Sequence, residues 1–159
     1  MVRLGSPQVK LEIFTDGGCS GNPGEAAIGV VIKDGTKTIR TLSRAIGQGT
    51  NNIAEYTALI AALQEALILK ADEVSVKTDS ELMCRQVSGA YAVKHENLKP
   101  LFEQVKHLVT GFNSFKIAHV PREQNSEADA LVRQVLKKAG QDGRSGAHGA
   151  GEESPSSKG

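Results

Sequence analysis

The chain has 159 residues, with 19 Lys and Arg against 18 Asp and Glu, and a formal net charge of +1. That length suits one domain with a sizeable core, and the balanced charge weighs against a tight, non-specific nucleic-acid binder while leaving room for a basic patch on one face. The two cysteines, Cys19 and Cys84, fit no metal-ligand spacing; with no signal-peptide or membrane-spanning pattern, a reducing, cytoplasmic setting and no membrane partner are expected.

Val9, Leu11 and Ile13 alternate with Lys10 and Glu12, which reads as a first strand. Asp16 ends that strand and opens a glycine-rich loop over residues 16–24. Residues 26–33 are mostly apolar and suit a central strand, and Asp34-Gly35 then makes a tight turn. Residues 36–44 are polar and β-branched, as an edge strand requires, so the first three strands form an antiparallel meander. Residues 52–70 read as a helix with Tyr56, Leu59, Ile60, Leu63 and Leu67 on one stripe. Residues 73–78 form a fourth strand that Asp79 ends, and Ser80 caps a short helix carrying Leu82, Met83 and Val87. Asn97 caps the next helix, Pro100 falls harmlessly in its first turn, and Gly111 stops it. Residues 115–120 are the fifth strand, stopped by Pro121, and residues 126–138 the last helix, with Leu131, Val132, Val135 and Leu136 inward.

Helices between strands three and four, and between four and five, imply right-handed crossovers. The expected fold is α/β, a five-stranded mixed sheet in the order 3-2-1-4-5 flanked by helices. Residues 1–8 read as a loose N terminus and 9–139 as the domain. Residues 140–159 lack apolar periodicity and read as a disordered tail.

Four acids stand at the ends or beginnings of these elements. Ligands in open α/β sheets gather outside the carboxyl ends of strands, where Asp16 and Asp79 lie if strands one and four are parallel neighbours. Glu55 precedes Leu59 by one turn, at the border of the buried stripe, and Asp129 lies in the first turn of the last helix, where the dipole favours an anion. Carboxylates brought that close repel and require cations. Hard oxygen donors favour Mg²⁺ or Mn²⁺ over zinc, and a paired-metal carboxylate site suits phosphodiester cleavage. Taken singly, each acid has a plainer reading: a turn residue at Asp16, a dipole partner at Glu55, a strand-to-helix cap at Asp79-Ser80, and a capping box between Ser126 and Asp129. Asn51-Asn52 reads equally well as a helix cap. The ordered conjunction of all four acids favours one shared site.

Phe14-Thr15-Asp16-Gly17-Gly18-Cys19-Ser20-Gly21-Asn22-Pro23-Gly24, Thr50-Asn51-Asn52-Ile53-Ala54-Glu55, Thr78-Asp79-Ser80 and Asn125-Ser126-Glu127-Ala128-Asp129 resemble, in order, the four catalytic motifs of the type 1 ribonuclease H family. The resemblance implies the ribonuclease H-like fold. It also implies an endonuclease that hydrolyses the RNA strand of RNA–DNA hybrids with two Mg²⁺ ions, Mn²⁺ being a substitute, leaving 5′-phosphate and 3′-hydroxyl ends. Asp16 would bridge both ions, Glu55 and Asp79 would hold the ion near the leaving 3′ oxygen, and Asp129 the ion that activates water. Backbone groups at Cys19 and Gly21, with Asn22, Thr50, Asn51 and Asn52, would meet the sugars and base edges of the wide minor groove. Glu81 stands where many relatives have Gln, also facing a 2′-hydroxyl. Arg122 would contact a phosphate or product. The short segments 120–129 and 89–96 match a subgroup without the His-bearing loop and the basic protrusion. His119 is read as structural or exposed. A monomer is expected, and double-stranded RNA stays open as a second substrate. Two other classes stay open: a resolvase or strand-transfer nuclease on the same fold, and a non-catalytic hybrid-binding module.

Overall fold

The computed structural model describes residues 8–146, with side chains described through Gly140. The first seven residues of the expected loose N terminus and most of the expected tail lie outside the described residues. The strands are β1 (Lys10–Gly21), β2 (Gly24–Asp34), β3 (Lys37–Gly49), β4 (Glu73–Thr78) and β5 (Ser114–His119). The helices are α1 (Asn51–Ile68), α2 (Glu81–Val87), α3 (Lys99–Val109) and α4 (Ser126–Gly146), the last preceded by a 3₁₀ turn at Arg122–Asn125. One sheet runs in the expected order, β3-β2-β1-β4-β5. β1 pairs antiparallel with β2 and parallel with β4, and β4 pairs parallel with β5.

β1 is longer than the alternation indicates. Asp16 does not end the strand: it pairs with Gly29, and the β1–β2 ladder continues to Gly21 opposite Gly24. What stops near Asp16 is the parallel pairing with β4, whose last partners are Thr15 and Thr78. Gly17 and Gly29 are there because helices approach, while Gly21 and Gly24 flank the β1–β2 turn. A Cβ on Gly17 would lie 2.3 Å from the carbonyl carbon of Ala54 in α1, and one on Gly29 would lie 2.5 Å from the Ala128 carbonyl oxygen in α4. Opposite faces of the sheet therefore admit α1 and α4 to backbone contact.

The core follows from this layering. Leu11, Ile13, Val30, Ile32, Val74 and Val76 from the strands meet Tyr56, Leu59, Ile60 and Leu63 from α1, with Met83, Leu98 and Val105 from the shorter helices. Fully burying such side chains stabilises by about 1.5–3 kcal/mol each. α1 is buried more widely than its stripe indicates, since Ala54, Ala58, Ala61, Ala62 and Ala66 are also buried. Alanine lets the helix lie close to the sheet and keeps helix propensity high.

Several boundaries differ from expectation. Thr50, not Asn51 or Asn52, caps α1, its Oγ1 accepting from the Ile53 N–H at 3.2 Å. The N-cap of α3 is Leu98, which makes no side-chain cap bond, rather than Asn97; Pro100 provides the start signal. The β2–β3 turn is Gly35-Thr36 between the paired Asp34 and Lys37, with positive φ at Gly35. α4 continues past Lys138 to Gly146, because apolar periodicity reports burial and not the reach of backbone helix bonds. None of the described helices is long and apolar enough to cross a membrane.

Gly17→Ala should destabilise the protein by about 1–3 kcal/mol, the range for overpacking. Gly18→Ala should be nearly neutral, because its added Cβ would lie an ordinary 3.5 Å from Val132 Cγ1. Urea denaturation of the two variants checks this: equal midpoints would show that α1 is not held in backbone contact with β1.

Candidate active site

Register alone brings the first two acids together. Thr15 is the partner of Thr78 across the parallel pair, so Asp16 and Asp79 are the next residues along neighbouring strands, about 4.8 Å apart by strand spacing. β1 has β4 beside it only as far as Thr15, and Glu55 enters near that boundary from α1, one residue beyond the Ala54 contact with Gly17. Asp16, Glu55 and Asp79 each offer a carboxylate oxygen within 4.8 Å of the others. Asp16 is 6% exposed and Glu55 9%.

Burial is the largest cause of the perturbed titration here. It pushes the Asp16 pKa from 3.8 up to about 7, with the charges of Asp79 and Asp129 adding to the rise and Arg122 and the Gly17 amide opposing it. Glu55 is raised well above the usual carboxylate range, first by burial and then by Asp16 and Asp79. Glu55 Oε1 and Asp79 Oδ2 are buried with no hydrogen-bond partner among the described residues. Buried carboxylate oxygens without donors are costly, and a cation is the partner that repays all three acids at once. The donor set is all hard oxygen, so the trio fits a divalent cation.

The fourth acid is placed differently. Asp129 lines the same cleft and its charge reaches Asp16, but it is not one of the three oxygens within 4.8 Å. Its Oδ2 accepts from Arg133 Nε at 2.9 Å, one turn along α4, so Arg133 rather than Ser126 engages it. Arg122 Nε lies 3.8 Å from Asp79 Oδ2, an ion pair longer than a hydrogen bond.

The expected substrate contacts divide into two sets. Cys19, Asn51 and Arg122 line the cleft with the acids. Asn51 Oδ1 accepts from the Cys19 N–H at 3.1 Å and Asn22 Oδ1 accepts from the Asn51 N–H at 3.1 Å, which ties the β1–β2 hairpin to the start of α1. Burial raises the Cys19 pKa, in keeping with a packing thiol and not a nucleophile. Gly21, Asn22, Thr50, Asn52 and Glu81 do not line the cleft; the Thr50 hydroxyl is used as the α1 cap, and Glu81 Oε2 accepts from Arg85 Nε at 2.9 Å.

The sequence argument gave three further residues no place in the site: His119, read as structural or exposed and indeed exposed, Arg133, which it did not mention, and Asn125, quoted only within a motif. His119 and Arg133 line the cleft, and the signals were available in the register of β5 beside Thr78 and in the i,i+4 spacing of Arg133 from Asp129. Asn125 is 1% exposed and its Nδ2 donates to the Thr15 carbonyl at 2.8 Å. It pins the 3₁₀ turn to the strand residue beside Asp16. Only a contact between residues this far apart in sequence reveals that role.

Residues 14–135 match the family described as reverse transcriptase-like. The chain is 35% identical over 147 residues to Ribonuclease H of Anaplasma marginale, covering 84% of this chain and 93% of that protein. The chain belongs to the type 1 ribonuclease H family. It is also 40% identical over 135 residues to the bifunctional protein Rv2228c of Mycobacterium tuberculosis, covering 84% of this chain. It spans only 37% of the length of that relative. The solved N-terminal RNase H domain of that protein superimposes with a TM-score of 0.81 at 40% identity, covering 85% of this chain and 99% of the solved one. LC11-RNase H1, solved in complex with an RNA/DNA hybrid, gives a TM-score of 0.77 at 44% identity, covering 81% and 98%. The family fold is thus shared over the β1–α4 body that carries the acids.

The raised Asp16 pKa has a consequence for metal-free stability. Between pH 3.8 and about 7 the native state holds a proton that the unfolded chain has released. Stability is therefore highest below the lower value and is lost as pH rises to about 7. At pH 8 in EDTA, Asp16→Asn should be more stable than the parent by on the order of 1 kcal/mol or more, one pKa unit being worth about 1.4. Mg²⁺ should stabilise the parent and stabilise the variant less. Thermal melts with EDTA and with Mg²⁺ decide this. No gain in EDTA, with neither protein responding to Mg²⁺, would refute the shared site.

Proposed function

We propose that this chain is an endonuclease that hydrolyses the RNA strand of RNA–DNA hybrids, leaving 5′-phosphate and 3′-hydroxyl ends. The observation that carries the reading is the buried trio Asp16, Glu55 and Asp79 at the end of the β1–β4 pair, with Asp129 across the same cleft. Kinship to a protein solved with an RNA/DNA hybrid supplies the substrate class. Two Mg²⁺ ions, with Mn²⁺ as a substitute, would supply Lewis acidity and an activated water when bound. Asp16 would touch both, Glu55 and Asp79 the ion on the leaving-group side, and Asp129 the ion on the water side.

The other residues bind and orient. The Asn51 amide spends its oxygen on the Cys19 N–H and keeps its Nδ2 donors for a 2′-hydroxyl or base edge. Asn22, Asn52 and the backbone at Gly21 would extend that minor-groove contact, with Thr50 fixing the α1 start. Arg122, 77% exposed in its side chain, would hold a phosphate or the product. Glu81 would need to leave Arg85 to reach sugar. Sugar and phosphate contacts carry little sequence information, so sequence preference should be weak.

Residues 9–139 would be the catalytic domain, monomeric and cytoplasmic, in the subgroup with a short loop after β5 and no basic protrusion. Double-stranded RNA is a second substrate to test. A cleavage assay on matched hybrid, duplex DNA and duplex RNA decides the reading. Cutting of the RNA strand in hybrid alone supports it; strand transfer or cutting of DNA points to another nuclease on the same fold, and binding without cutting to a non-catalytic module.

Asp79→Asn preserves size and removes a charged ligand. Its hybrid-cleavage rate should fall at least about a hundredfold, the scale of a few kcal/mol of transition-state stabilisation, and a rate near the parent's in Mg²⁺ would remove Asp79 from the site. Arg122→Ala should weaken hybrid affinity and reduce its salt slope by about one counterion with the circular dichroism spectrum unchanged. Identical affinity across a salt series would free Arg122 of this role.

A further inference from the structure

Asp129 borders the cleft yet stands outside the trio, and the reason lies on its own helix. Arg133 Nε donates to Asp129 Oδ2 at 2.9 Å, with side-chain exposures of 69% for the arginine and 18% for the acid. The carboxylate is the more buried partner, so the guanidinium is the group with more room to move. Arg133 also lines the cleft, so its positive charge sits on the carboxylate through which Asp129 would hold a cation. Arg122 imposes no such constraint on Asp79, because its 3.8 Å approach leaves Asp79 Oδ2 without a hydrogen bond.

We propose that Arg133 is a positioning residue that holds Asp129 as its resident counter-cation, and that a divalent ion bound through Asp129 must displace it. The inference rests on the two-ion reading above. It makes cation loading ordered. The trio already offers three oxygens and no competing hydrogen bond at Glu55 Oε1 or Asp79 Oδ2, so it fills first. The Asp129 side fills second, against the guanidinium. Exposed i,i+4 pairs are weak, so the opposition is modest, about two- to fivefold in the midpoint of the second step.

The test uses the full chain without substrate. Mg²⁺ is titrated into the parent, Arg133→Ala and Arg133→Lys, followed by calorimetry and by the arginine Nε–H resonances in ¹H–¹⁵N spectra. Arg133 is exposed on a helix, where alanine is well tolerated. The expected result is that the Arg133 Nε–H resonance moves with the later of two binding steps. Arg133→Ala should lower the midpoint of that step about two- to fivefold, leave the earlier step in place, and have Arg133→Lys fall between. An unmoved Nε–H and an unchanged titration in Arg133→Ala, in a parent that binds Mg²⁺, would overturn the proposal. A parallel titration of the same proteins with RNA–DNA hybrid adds a second arm: a variant with unchanged Mg²⁺ steps and weaker hybrid binding would also overturn the proposal, making Arg133 a phosphate contact. Absence of Mg²⁺ binding in all three proteins is a different pattern, and it would overturn the metal reading together with this inference.

Discussion

The site depends on two places where a side chain is missing. Ala54 rests on Gly17 and Ala128 rests on Gly29, each so close that a single Cβ would overlap backbone. Gly29 is the cross-strand partner of Asp16, so both approaches flank the same acid from opposite faces of the sheet. The residues that follow the two contact alanines are Glu55 and Asp129. A helix held off the sheet by side chains at these two positions would carry either carboxylate away from Asp16. The glycines therefore act on chemistry through distance.

That closeness is unfavourable in itself. Two unit charges about 4 Å apart interact by about 4 kcal/mol at an effective dielectric of 20, and the trio also loses hydration. The raised Asp16 and Glu55 pKa values are the visible sign of this. Ile13 and Val76 lie just before the acids on β1 and β4, both fully buried, and such side chains contribute about 1.5–3 kcal/mol each. Asn125 contributes by other means. Its bond to the Thr15 carbonyl replaces a strand partner at the point where the β1–β4 pairing ends, and it fixes Arg122 and the start of α4 at the same time.

Much of this was legible in the sequence because the signals were local. The apolar runs and crossovers are enough for a mixed α/β sheet, and the stripe from Tyr56 to Leu63 for the buried face of α1. The errors came where the cause was a contact between distant residues. Gly17 and Gly18 look like a loop until Ala54 and Val132 are known to lie above them. Asn51 looks like a cap as readily as Thr50 does, and only the Thr50 bond to Ile53 leaves the asparagine amide for the cleft. The conjunction of four acids was readable, but the separation of Asp129 from the other three was not, because it turns on which oxygen Arg133 engages.

An acidic cleft and a polyanionic substrate repel each other, and a net charge of +1 offers little long-range attraction to overcome this. The cations must then serve attraction as well as chemistry. The exposed guanidinium groups at the cleft, Arg122 and Arg133, are each within ion-pair distance of an acid, so part of their charge is already spent in the metal-free state. On the proposed function, filling the acids with divalent ions would reverse the sign of the cleft and free that charge. Hybrid binding and cation binding would then be coupled by this exchange, and linkage requires such a coupling to run equally in both directions.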